Sequence, residues 1–284
     1  MKTRGLICQP ISLSLIASVV TLLLISACQQ VNIFSNLPTD QPTATVYMEP
    51  VATVTKLPDE LTQSPAESSN AMTMNLSGVA QNFTIETFAT VPTNANAPFW
   101  EIAPQHLVVT LQGYAAVNSQ MKPQIFIYPV AELVSYNEAY GAIVTNLQAL
   151  LQNRQPVKHV PFLPMINASQ VMHPQMQFLD FKNGSGVRFL TQYDQAVTPI
   201  NNLELIYAFQ GLTSDGKYYV SAMLPVNHPE LPNDLRVTEE QMAEMNDFPA
   251  YLNKTITWLE QQPKESFTPN LAQLDAMIQS IEMK

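Results

Sequence analysis

Residues 176–225 read MQFLDFKNGSGVRFLTQYDQAVTPINNLELIYAFQGLTSDGKYYVSAMLP, and this stretch decides the fold. Four runs dense in β-branched and aromatic residues, Met176–Phe181, Val187–Tyr193, Leu203–Gly211 and Lys217–Pro225, alternate with turn-forming residues. That pattern predicts a four-stranded antiparallel meander. Asn183-Gly184-Ser185-Gly186 is expected to make the first turn. Asp215-Gly216 is expected to make the last, as a two-residue hairpin turn that requires positive φ. In the third run Leu203, Leu205, Tyr207 and Phe209 share one face, while Ile206 and Ala208 occupy the other. Both faces of the sheet are therefore expected to be at least partly covered.

Upstream, Phe83–Val91 and His106–Gly113 read as strands, and Gln124–Tyr128 as a short one running into a helix over Val130–Asn153. Leu133, Tyr136, Tyr140, Ile143, Val144, Leu147 and Leu151 give that helix one apolar face. A loop punctuated by Pro156, Pro161 and Pro164 follows. Its segment Pro161–Ile166 is apolar for a connection, so it either tucks over a sheet edge or presents a patch to a partner. Downstream, Thr238-Glu239-Glu240-Gln241 is a capping box, opening a helix that Pro249 interrupts. A second segment runs to Gln261, and Thr268 is expected to cap a last helix with Pro269 at its first position. Leu271, Leu274, Ile278 and Ile281 form the stripe of that helix. Strands, helix, antiparallel sheet, helices: the expected class is α+β, one domain over residues 78–284.

Residues 28–77 are a different material. NLPTDQPTATVYMEPVATVTKLPDELTQSPAESSN is rich in Pro, Thr and Ser and lacks apolar periodicity, which predicts a disordered tether. Pro-rich chain spans about 3.1 Å per residue, so such a tether could reach on the order of 100 Å. Before it, residues 11–28 read ISLSLIASVVTLLLISAC behind Lys2 and Arg4. Basic start, apolar run and small residues at its end make the pattern of a secretory signal over 1–27. An uncleaved anchor is one alternative, although a spanning helix needs about 20 apolar residues and Ser12, Ser14, Ser18 and Thr21 weaken this run. An ordinary cleaved signal is the other. The run Ile25-Ser26-Ala27-Cys28 resembles the lipobox of bacterial lipoproteins. The resemblance implies cleavage between Ala27 and Cys28, acylation of Cys28 with fatty acids such as palmitate, and attachment to a membrane outside the cytoplasm. Gln29 rather than Asp follows the cysteine; by the same resemblance, a host with two membranes would sort the protein to the outer one.

The formal charge is −10, and loss of Lys2 and Arg4 would make the chain two units more acidic. Such a chain is a poor nucleic-acid binder and is repelled by anionic headgroups. Of two cysteines, Cys8 lies in the signal and Cys28 would be acylated, so no disulfide is expected. The 46% apolar content suffices for an ordinary core.

The segment LDFKNGSGVRFLTQYDQAVTPINNLELIYAFQGLTSDGKYYVSAMLPVNHPELP (179–232) looks like one that recurs in exported bacterial proteins without an assigned function. The order of elements and the ending LAQLDAMIQSIEMK are similar to PsbP-like exported domains. That likeness implies an accessory or binding role and carries over no catalytic residue.

No motif names a reaction. His106, His159, His173 and His228 form no HExxH or close pair. His159, Met172, His173 and Met176 cluster in sequence as thioether and imidazole groups suited to Cu(I), or else serve as core fillers beside surface histidines. Gly184-Ser185-Gly186 lacks the spacing of a nucleophile elbow. Arg188 is expected to pair with a carboxylate across the meander, where Asp180, Asp194 and Glu204 are available. Tyr128, Tyr207, Tyr218 and Tyr219, with Phe99 and Trp100, could line a concave face for an apolar or sugar ligand or simply fill the core. The expected function is that of an exported, membrane-anchored binding or accessory domain, without a cofactor, whose partner is an envelope protein, a polymer or a small ligand. An envelope hydrolase with a site assembled from distant residues and a copper accessory protein are the alternatives.

Overall fold

The meander forms, and it is the centre of a larger sheet. A computed structural model describes residues 66–284 apart from 69, 70, 95, 116 and 117. The described chain opens with β1 (Ala66–Ser68) and β2 (Met72–Asn75). Next come β3 (Asn82–Phe88), β4 (His106–Gln112) and β5 (Gln124–Pro129). α1 (Val130–Tyr136) and α2 (Glu138–Asn153) follow. Then β6 (Ser169–Gln170), β7 (Gln177–Phe181), β8 (Gly184–Thr191), β9 (Tyr193–Asp194), β10 (Ile206–Thr213) and β11 (Tyr218–Pro225) run in order. α3 (Glu239–Met245), α4 (Phe248–Gln261), a 3-10 turn at Lys264–Ser266, α5 (Leu271–Gln279) and β12 (Glu282–Met283) complete it. The class is α+β, as expected. None of the described helices is long and apolar enough to cross a membrane.

Seven strands pair antiparallel in the order β3-β4-β5-β11-β10-β8-β7. Strand side chains alternate between faces, and both faces are buried. Tyr207 and Phe209 of β10 join one core with Leu190, Val220 and Ile127, under Leu271, Leu274 and Ile278 of α5 and Leu259 of α4. Ile206 and Ala208 join the other core with Val187, Phe189 and Tyr219, under Tyr140, Val144 and Leu147 of α2. The result is three layers, helices on both sides of one antiparallel sheet. Each fully buried leucine or isoleucine of α5 contributes about 1.5–3 kcal/mol.

Several boundaries differ from expectation for local reasons. The helix expected over 130–153 is two, because Asn137 is extended (φ −160°) and its side chain caps α2 by accepting from the Tyr140 amide at 3.0 Å. The first turn of the meander is Lys182-Asn183, since Phe181 pairs with Gly184. Gly184 and Gly186 instead lie in β8, where a Cβ on Gly186 would stand 2.3 Å from the Phe209 ring. The last hairpin has a four-residue loop, Ser214–Lys217, with Gly216 at φ +70°. Pro249 sits in the first turn of α4, capped by Asp247, so it starts that helix. α5 is capped by Asn270 and not Thr268, whose backbone is bridged to Asn227 in both directions at 2.8 and 2.9 Å.

The folded part begins earlier than residue 78. β2 pairs with β1 and with β12, and Met72, Met74 and Leu76 belong to the core beneath α5. Two methionines two apart on one strand face do not stand out in a Ser-, Thr- and Pro-rich context. The apolar Pro161–Ile166 segment tucks in, over a sheet face rather than an edge. Leu163 is fully buried, its amide donating to Gln210 Oε1 at 3.0 Å while Ser221 Oγ donates to its carbonyl. Gln210 Nε2 also reaches Ser221 Oγ at 2.8 Å, and Tyr219 donates to Gln210 Oε1 at 2.6 Å. This polar lattice holds the loop onto the β10–β11 pair.

Candidate functional site

Ala27 and Cys28 lie outside the described residues. The tyrosines expected to line an open face are distributed through the sheet. Tyr128 and Tyr219 are register partners in the core under α2. Tyr207 is in the opposite core, and Tyr218 is half-buried at that core's margin. Burial pushes the phenols of Tyr128, Tyr207 and Tyr219 well above their ordinary range. A sheet covered on both faces makes core of both alternating sets, so these four side chains line no common open surface. Phe99 and Trp100 are exposed and packed edge to face at 5.0 Å.

The methionine and histidine set separates in the same way. Met172 is buried in the core under α5, whereas Met176 packs against the core under α2. His159 is exposed, and His173 donates from Nε2 to the Lys158 carbonyl at 3.3 Å. The two thioethers therefore converge on no shared position, and among the described residues no three His, Cys, Asp or Glu groups could hold a metal ion. His106 donates from Nδ1 to the Pro104 carbonyl at 2.8 Å and stacks on Tyr128 and Phe88.

Arg188 does not pair within the meander. Asp180 meets Arg154 at the surface, Asp194 accepts from Gln192, and Glu204 accepts from Asn201. The partner of Arg188 is Asp275 of α5, with Nε 3.1 Å from Oδ1. That contact is Coulombic, since Nε has no aligned acceptor among the described residues. The other guanidinium nitrogens donate to the Gln175 carbonyl at 2.5 Å and Gln177 Oε1 at 3.0 Å. Asp275 also accepts from Tyr207 at 2.9 Å and from Lys264 at 2.6 Å. Arg188 is 1% exposed and Asp275 6%, so the cluster clamps α5 onto the sheet and leaves no room for a substrate. One signal in the sequence marks it: residues 271, 274, 275 and 278 have helix-face spacing, and Asp275 is the charge in that stripe.

His228 and Ser266 approach to 3.0 Å, through Nε2 and Oγ. Nucleophilic catalysis would need Nε2 to accept the serine proton. Here the Glu230 amide donates to Nδ1 at 3.2 Å, so the neutral ring carries its proton on Nε2 and donates to Ser266. The serine proton in turn goes to the Pro263 carbonyl at 2.8 Å. Burial lowers the histidine pKa, against the opposing pull of Glu230 and Gln262. The pair is oriented the wrong way for a general base and works as a strut.

Beyond His228, whose ring meets the Trp258 ring edge to face at 4.8 Å, a cleft opens. Tyr251, Lys254, Thr255 and Trp258 line it, one face of α4 at helical spacing. Gln241 and Glu244, three apart on α3, form the opposite wall. Ile200, Leu231 and Pro232 supply the apolar floor, and Glu230 stands at its margin. The cavity volume is about 510 Å³, within the range of small-molecule sites. Tyr251 is fixed by accepting the Ile200 amide proton at 2.9 Å, and α3 is tied to α4 by Lys254 donating to Glu244 at 2.8 Å. Sequence reading missed this site because a mixed aromatic and polar helix face has the same pattern as any half-buried helix.

Against this geometry, no protein-family model matches the chain, and neither the curated proteins nor the solved structures contain a match.

Proposed function

We propose that this chain is an exported lipoprotein, attached to a membrane through acyl groups on Cys28, whose α+β domain binds a ligand without transforming it. The basic start, the apolar run and the lipobox-like Ile25-Ser26-Ala27-Cys28 support the anchor. One observation carries the binding reading. The α3–α4 cleft is ligand-sized and lined by fixed aromatic and polar side chains, whereas the His228–Ser266 contact behind it has the tautomer of a strut.

Two measurements on the full chain in its native membrane fraction test this. Mass spectrometry of the N-terminal peptide is expected to begin at an acylated Cys28, and Cys28→Ser is expected to release the protein from membranes. An intact residue 1–27 segment or an unmodified Cys28 would defeat the anchor. Native mass spectrometry of the purified protein is expected to show a discrete added small-molecule mass. Turnover of a defined substrate by homogeneous protein would defeat the binding reading.

A further inference from the structure

We infer that the α3–α4 cleft takes a small organic monocation, an ammonium group carried on an apolar chain or ring. The inference rests on the binding reading above and names the ligand class for that site.

Charge comes first. Three ionic side chains line the cleft: Glu230, Glu244 and Lys254. Glu244 and Lys254 are paired at 2.8 Å and cancel. Glu230 makes no ion pair among the described residues. The lining therefore presents one uncompensated negative charge, which attracts a single positive charge and repels an anion. Shape and surface come second. Tyr251 and Trp258 line the cleft from the same face of α4, about two turns apart. Phe248 stacks on Tyr251 at 6.0 Å and His228 meets Trp258 edge to face at 4.8 Å, and the ring surface left towards the cleft attracts a cation through its quadrupole. Ile200, Leu231 and Pro232 offer an apolar floor for the body of the ligand. Such a floor gains nothing from an inorganic ion, and the lone carboxylate gains nothing from a neutral apolar molecule. Only a ligand with both parts uses both.

Rigidity comes third. Tyr251 is held by the Ile200 amide and Trp258 by the His228 ring. The aromatic wall is therefore in place before a ligand arrives, which limits the ordering cost of binding.

Trp258 provides the readout. In the full chain carrying Trp100→Phe, the emission of Trp258 is titrated with hexyltrimethylammonium, hexanol and hexanoate at fixed ionic strength. The expected result is a saturable change with the ammonium, about tenfold weaker binding of hexanol, equivalent to roughly 1.4 kcal/mol, and no binding of hexanoate. Glu230→Gln, at an exposed position, is expected to weaken the ammonium about fivefold or more with an unchanged urea midpoint. Glu230→Lys is expected to abolish binding. Equal binding of the three probes, silence of Trp258 towards all of them, or an unaltered ammonium affinity in Glu230→Gln would overturn the inference. A neutral or anionic molecule found bound in the cleft would overturn it too, while leaving the binding reading intact. Only turnover would remove that reading.

Discussion

Asp275 contributes less as half of an ion pair than as the group that keeps Arg188 from being alone. A buried pair roughly offsets its own desolvation, whereas removing one partner leaves a bare charge in the interior. Asp275→Ala is therefore expected to destabilise the protein by about 3–5 kcal/mol in urea unfolding. The triple change Arg188→Met, Tyr207→Phe and Asp275→Leu should recover most of that loss, because it strands neither the guanidinium nor the buried Tyr207 hydroxyl, and Lys264 is 32% exposed and can turn to water. A triple variant as unstable as the single would show that packing, not the stranded polar groups, sets the cost. Burial lowers the pKa of His228 and of His106 below the ordinary 6.5. Both rings are neutral in the native protein above that value, and their contribution is then complete. As pH falls below 6.5 the unfolded chain takes up protons first, so stability drops until the folded pKa values are passed. The urea midpoint should be lower at pH 5.5 than at pH 7.5, and the difference should shrink when both histidines are replaced by glutamine. An equal drop in the doubly substituted protein would assign it to other groups.

At the scale of elements, the structure turns on caps and close approaches. Asn137 separates α1 from α2 with a single side-chain acceptor, and Asn137→Ala is expected to cost about 1 kcal/mol. Gly186→Ala should cost more, about 1–3 kcal/mol, because the added methyl meets both the Phe209 ring and the Gln210 carbonyl. Denaturant midpoints of the two variants check the order; a Gly186→Ala protein as stable as the parent would mean that both the Phe209 ring and the β10 backbone at Gln210 can yield. These elements also mark how far a sequence can be read. β10 was legible because Leu205, Tyr207 and Phe209 alternate with Ile206 and Ala208, and a two-period pattern dense on both faces has few other uses. The capping box at Thr238 was legible because its chemistry is local. The break at Asn137 was not, since asparagine inside an apolar-periodic run can also point to solvent. Partners of Arg188 and the walls of the cleft depend on contacts 87 residues away in the one case and across two helices and two loops in the other. No spacing rule reaches that far.

For the molecule as a whole, the small sheet β1-β2-β12 joins the two ends of the described chain. Glu282 and Met283 pair with Thr73 and Met72, and the Lys284 amide donates to the Ala71 carbonyl at 3.0 Å. Ile281 and Met283 are both buried in the core that holds Met72 and Met74. Deleting residues 281–284 is expected to cost about 3–6 kcal/mol from those two side chains and to open the amides of β2 to hydrogen exchange. Retained protection at Thr73, which β1 also partners, would show that β1 alone secures the strand. Thr73 and Met72 lie some two hundred positions from Glu282 and Met283, so the edge of β2 that β1 does not pair is covered only by residues from the far end of the described chain. Pairing across that separation closes a long loop, whose entropic cost falls on the contacts of the rest of the fold.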